Sequence, residues 1–100
     1  MYDRTHADIL GYHNSMLADR VRTESYLKAI LQLVQRGDVV VDIGCGTGIL
    51  TIFACLAGAR HVYAIEQGPI IQVAKDLCQR NGYGDRVTFI QDWSTNVTLP

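Results

Sequence analysis

The sequence is 100 residues long, with 48% apolar and 19% charged side chains, which is enough apolar material for one core and too little charge for a disordered chain. Nine basic and ten acidic side chains leave a formal net charge of −1, so no overall field draws the chain onto nucleic acid or an anionic membrane. Three cysteines, Cys45, Cys55 and Cys78, are odd in number and lack C-x-x-C spacing, which argues against a disulfide framework or a zinc site.

Taken in chain order, residues 5–19 place Ile9, Leu10, Met16 and Leu17 at helical spacing, with Gly11 as an interruption. Thr23 then caps a second predicted helix carrying Tyr26, Leu27, Ile30, Leu31 and Val34, and Gly37 ends it. The β-branched run from Val39 to Ile43 has the pattern of a strand buried on both faces. A glycine-rich stretch, Gly44-Cys45-Gly46-Thr47-Gly48, leads into a predicted buried helix from Ile49 to Ala57, closed by Gly58. His61 to Glu66 reads as a second strand, Ile70 to Asn81 as a third helix, and Val87 to Gln91 as a third strand ending at Asp92. Tyr63 and Phe89 are candidate core residues. Alternating strands and helices predict right-handed βαβ units and a parallel sheet. The expected fold class is therefore α/β: an incomplete doubly wound, Rossmann-like sheet of three parallel strands behind two helices. In that winding the first strand is central, and three strands leave Val39 to Ile43 as an exposed apolar edge. This favours a chain that lacks a C-terminal part.

The chemistry concentrates in Val40 to Gly48, where a strand and an acid precede glycines at every second position before a helix. Glycines at 44, 46 and 48 permit a tight turn against which a ligand meets bare backbone. A P-loop is excluded, because there is no lysine between Lys28 and Lys75. The dinucleotide spacing G-x-G-x-x-G puts its third glycine, a position loosely open to substitution, where Ile49 stands, which weakens a nicotinamide or flavin dinucleotide without eliminating it. S-adenosylmethionine carries a sulfonium, an ammonium and a carboxylate but no phosphate, and an acid at position 42 suits it better than it suits pyrophosphate. Glu66, at the end of the second strand, is placed to accept hydrogen bonds from ribose hydroxyls. Asp92 closes the third strand on the same edge and is a candidate for the adenine ring, with a turn or cap as its ordinary alternative.

Three stretches together resemble the protein arginine methyltransferases, a class I S-adenosylmethionine-dependent family: Asp42 to Leu50, Ala57-Gly58-Ala59-Arg60, and Val62 to Glu66. Upstream, Gly11-Tyr12-His13, Met16 to Asp19 and Val21-Arg22-Thr23 resemble that family's helices that fold over the cofactor. The likeness runs from about Gly11 to Pro100. It implies that residues 1–37 form a cofactor lid and residues 38–100 the first half of the binding domain, one domain in all. It also implies that Arg22 pairs with the methionine carboxylate, that His13 and Met16 line the lid, that Gly44, Cys45, Gly46 and Gly48 face the methionine part, and that Glu66 meets the ribose. Thr95 stands where the family usually has an adenine-binding glutamate, which shifts the adenine contact toward Asp92 and the Trp93–Thr95 backbone. The family's substrate-binding glutamates lie beyond the fourth strand, so no catalytic residue carries over.

The expected function is thus the S-adenosylmethionine-binding portion of an enzyme that methylates arginine side chains of proteins, not competent as this chain alone. The alternatives are a small-molecule, RNA or other protein acceptor, or a non-catalytic module that keeps the fold. Full-length homodimerisation is a further expectation. No stretch reaches the roughly 20 apolar residues of a membrane span, and residues 2–6 lack the design of a signal peptide. With the cysteine usage, this points to a cytoplasmic or nuclear setting.

Overall fold

The computed structural model describes the backbone from His6 and side chains from Ala18 to Pro100. Helix α1 (His6–Leu33) is followed by β1 (Val39–Ile43), α2 (Ile49–Leu56), β2 (His61–Ile65), α3 (Ile71–Arg80) and β3 (Val87–Ile90), with 3-10 turns at Gly84–Arg86 and Ser94–Asn96. The three strands form one parallel sheet in the order β1-β2-β3. Val40 pairs with Val62 and Val62 with Val87, one step along Asp42 lies level with Ala64, and Ala64 with Phe89.

That register sorts the side chains. Val62, Ala64 and Val87 are buried, Val40 and Phe89 are partly buried, and all five pack with Ile52, Ala54 and Cys55 of α2 and with Ile71, Ala74 and Cys78 of α3. Phe89 thus joins the core as expected. The opposite face of the sheet carries Val39, Val41, Ile43 and Tyr63, of which the three β1 residues are exposed, Ile43 to 65%, and Tyr63 is partly covered. Tyr63 is therefore not core: its ring meets His61 edge-on, 4.9 Å between centroids, on this second face. The expectation that β1 is buried on both faces is likewise corrected, because among the described residues the helices cover one face only.

A second correction concerns the lead-in. α1 is one unbroken helix across Gly11 and Thr23. Thr23 does not cap it; its hydroxyl donates to the Asp19 carbonyl at 2.8 Å, one turn back, as Ser25 does to Val21 at 2.9 Å. The C-terminal part of α1 packs against α2. There Ile30 and Val34 line a cavity of about 190 Å³ with Val40, Val41, Asp42, Leu50 and Ala54.

Candidate functional site

The site lies at the carboxyl ends of the strands, where β1 runs into the glycine loop. As the chain leaves β1 it leans on β2: the N–H groups of Gly44 and Cys45 both donate to the Ile65 carbonyl, at 2.8 and 3.0 Å. The loop closes with Gly48 N–H donating to the Cys45 carbonyl at 2.9 Å, and Gly48 in turn begins α2 by accepting from Ile52 N–H at 3.0 Å. Glycines 44, 46 and 48 have φ of 69°, 54° and 89°, a region that other residues enter only under strain.

Their surroundings divide the three glycines. A Cβ built on Gly44 or Gly46 meets nothing within 4 Å, whereas one on Gly48 would stand 3.0 Å from Ala74 Cβ. Gly48 therefore lets α2 approach α3, and Gly44 and Gly46 leave open backbone at the sheet edge.

Two carboxylates flank that backbone. Glu66 is buried, 8% exposed, and straps the loop: Oε1 accepts from Gly46 N–H at 3.1 Å and Oε2 from Gly68 N–H at 2.8 Å. A carboxylate has about four acceptor sites, so lone pairs remain for ligand hydroxyls. Asp42, half-buried, accepts from the hydroxyl of the fully buried Thr51 at 2.6 Å. Burial pushes the Asp42 carboxyl above its ordinary 3.8, and the Thr51 hydrogen bond opposes that shift. Cys45 is buried in the loop, and its thiol is pushed up to about 11, first by burial and then by the charges of Asp42 and Glu66. It is a packing residue rather than a nucleophile.

The remaining candidates are less closely joined. Asp92 is exposed, and its Oδ1 accepts from Trp93 N–H at 2.7 Å and Asn96 Nδ2 at 3.0 Å, so it organises the 3-10 turn that carries the exposed Thr95. Arg22, exposed on α1, pairs with Asp19 of its own helix. The side chains of His13 and Met16 lie outside the described residues. The structure thus brings together Asp42, Gly44, Cys45, Gly46, Gly48 and Glu66, and adds Thr51 and the Gly68 N–H, which the sequence reading missed. A hydroxyl in the first turn of α2, across the glycine loop from the acid next to last in β1, is the signal that could have found Thr51.

Electrostatically, this is open backbone between two acids, suited to a ligand with hydroxyls and positive charge and hostile to a pyrophosphate lying between the acids. Comparison with known proteins agrees. Residues 20–98 match the family model described as ribosomal protein L11 methyltransferase (PrmA). The chain is 45% identical over 107 residues to protein arginine N-methyltransferase 1 of Chlamydomonas reinhardtii, an alignment covering 98% of the chain and 31% of that protein. It is 47% identical over 93 residues to probable protein arginine N-methyltransferase 6 of Arabidopsis thaliana, covering 90% and 21%. Among solved structures, it superposes on the Trypanosoma brucei PRMT1 enzyme-prozyme heterotetrameric complex with AdoHcy with a TM-score of 0.78 at 38% identity, over 90% of this chain and 29% of that one. The PRMT6-SAH crystal structure gives 0.74 at 38%, over 87% and 26%. The chain spans less than a third of the length of these relatives.

Proposed function

The chain belongs to the methyltransferase family described as ribosomal protein L11 methyltransferase (PrmA), with the class I, Rossmann-like fold, and on that premise we propose that it is the S-adenosylmethionine-binding front part of a protein arginine methyltransferase. The observation that carries this reading is the open backbone of Gly44 and Gly46 held between Asp42 and Glu66. The arginine acceptor rests on the names of the relatives, which are protein arginine N-methyltransferases.

The residues present fit the donor. Gly44 and Gly46 offer a floor without side chains for its methionine part. Asp42 attracts the ammonium and sulfonium charges, and Glu66 keeps its grip on the loop while accepting the ribose hydroxyls. Arg22 leaves Asp19 to meet the carboxylate; the lid expected of residues 1–37, with His13 and Met16, lies partly outside the described residues. Asp92, with the backbone of the turn bearing Thr95, borders the adenine. Bound there, S-adenosylmethionine supplies a methyl group to a nucleophilic nitrogen. The protein's part is to hold the donor in line and exclude water from it. Free, buried thiols support a reducing, cytoplasmic or nuclear setting.

Calorimetric titration tests the binding half. S-adenosylmethionine and S-adenosylhomocysteine should bind the chain, and Glu66→Gln should weaken both by at least roughly tenfold, the scale of a lost charge-assisted hydrogen bond. Absence of binding, or preference for a dinucleotide, would end the proposal. The acceptor is tested on the complete polypeptide that carries this sequence. Label should enter arginine-rich peptides; label in RNA or in glutamine would reassign the enzyme.

A further inference from the structure

A second cleft, of about 740 Å³, opens at the opposite edge of the sheet, where the strands begin. That volume falls in the range of small-ligand sites. Three arginines line it, each just ahead of a strand: Arg36 before β1, Arg60 before β2 and Arg86 before β3. The carboxyl edge of the same strands carries Asp42, Glu66 and Asp92. The sheet thus carries acids at one end and, beside Asp38 and Asp85, three arginines at the other.

The arginine-bearing end is built. Gly37 N–H donates to the Gly58 carbonyl at 2.9 Å and Arg60 N–H to the Asp38 carbonyl at 2.7 Å, so the segments bearing Arg36 and Arg60 are tied side by side beyond the strand ends. Gly58, at φ 102°, lets the stem of Arg36 lie directly on it; a Cβ there would stand 3.2–3.3 Å from Arg36 Cα, Cβ and Cγ. Arg86 is committed to the fold. Its guanidinium donates to the Cys55 carbonyl at 2.8 Å and the Ala59 carbonyl at 2.5 Å, and it lies 5.3 Å from the centroid of the half-buried Tyr83 ring. Arg36 and Arg60 have no such employment. Both are exposed, and among the described residues the ion pairs are Arg20–Glu24, Arg22–Asp19 and Arg80–Asp76. The neighbouring Asp38 carboxylate is engaged by Gln35 N–H at 2.8 Å.

We propose that this cleft binds a small phosphate ester of nucleotide size, with the Arg36 and Arg60 guanidiniums holding the phosphate and Tyr83 forming the less polar wall. Planar guanidinium forks match phosphate oxygens in pairs, and two of them borne on segments tied side by side suit one compact dianion better than an extended chain. The site is separate from the glycine loop and does not depend on what binds there.

The test uses ligands that the loop would not select. Uridine monophosphate and inorganic pyrophosphate are titrated into the chain at low salt, with S-adenosylhomocysteine present to occupy the acidic edge. Uridine monophosphate should bind with Kd below about 1 mM. The Arg36→Gln/Arg60→Gln double variant should weaken it by roughly tenfold or more, with an unchanged thermal melt. S-adenosylhomocysteine binding should be the same in both proteins, which separates failure here from failure at the loop. Two results would overturn the proposal: no saturable binding of either probe, or binding indifferent to the double substitution.

Discussion

Asp42 sits where function and stability oppose each other. Burial raises its carboxyl above 3.8, with the Thr51 hydroxyl pulling it partly back. A carboxyl whose pKa is higher in the fold than in the unfolded chain favours folding below its unfolded value, and that contribution is lost as pH rises through its folded value. At neutral pH the charge is thus a burden on the fold. Asp42→Asn removes the charge but keeps an oxygen for Thr51 to donate to. Its thermal melt at pH 7 should rise, the gain should fade as pH falls toward 3.8, and S-adenosylmethionine should bind at least roughly tenfold more weakly. An unchanged affinity would remove Asp42 from the site. The glycines give a sharper contrast. Gly44→Ala meets open space and carries only the strain of φ 69°, about 1–2 kcal/mol, so it should fold and lose the ligand. Gly48→Ala adds a 3.0 Å contact with Ala74 to the strain of φ 89°, and urea titration should show a larger loss, about 2–5 kcal/mol. The spacing of the glycines was legible in the sequence, but this division of labour was not, since it depends on how closely α3 approaches. Nor was the strap from Glu66 to Gly46 N–H, which depends on how β1 and β2 align.

At the scale of elements, β-branched runs bounded by glycines gave the strands away to within a residue, and α2 and α3 followed between them. α1 was misread for a physical reason. A glycine inside a helix costs about 1 kcal/mol, less than stopping and nucleating a second helix, and nothing from Val21 to Glu24 breaks the turn. Thr23, read as a cap, bonds backward into a helix that is already running. The end of α2 was legible to within a residue, but what anchors it was not. The Cys55 carbonyl of its last turn and the Ala59 carbonyl just beyond the helix both accept from Arg86, which lies 31 and 27 residues further on. Arg86→Met should leave these carbonyls without their charged donor and lower stability by about 2–3 kcal/mol in urea. Amide exchange should accelerate first in the last turn of α2. Lysine, a point charge without the fork, should restore only part of the loss. Full recovery with lysine would show that charge alone matters there.

For the whole molecule, the decisive feature is a sheet covered on one side. β1 is an edge strand, and among the described residues Val39, Val41 and Ile43 are exposed on the face opposite the core that α2 and α3 pack. Its β-branched run, broken only by Asp42, correctly signalled a strand, but such a run reports what a strand is suited to, not what is placed over it. An apolar edge with unpaired backbone groups recruits further strands, and natural edges commonly resist this with a lysine. The chain should therefore self-associate as its concentration rises, with apolar dye binding as a second sign of the bare face. Val41→Lys places a charge at the middle of that edge, at a position 42% exposed, so stability should change by no more than about 0.5 kcal/mol. Sedimentation should then show the variant monomeric at concentrations where the parent chain associates. S-adenosylhomocysteine affinity should stay unchanged, because Val41 points away from the side on which Thr51 holds Asp42. If the lysine variant associates as readily as the parent, the contact lies elsewhere on the surface, and the exposed Trp93 beyond β3 becomes the next place to look.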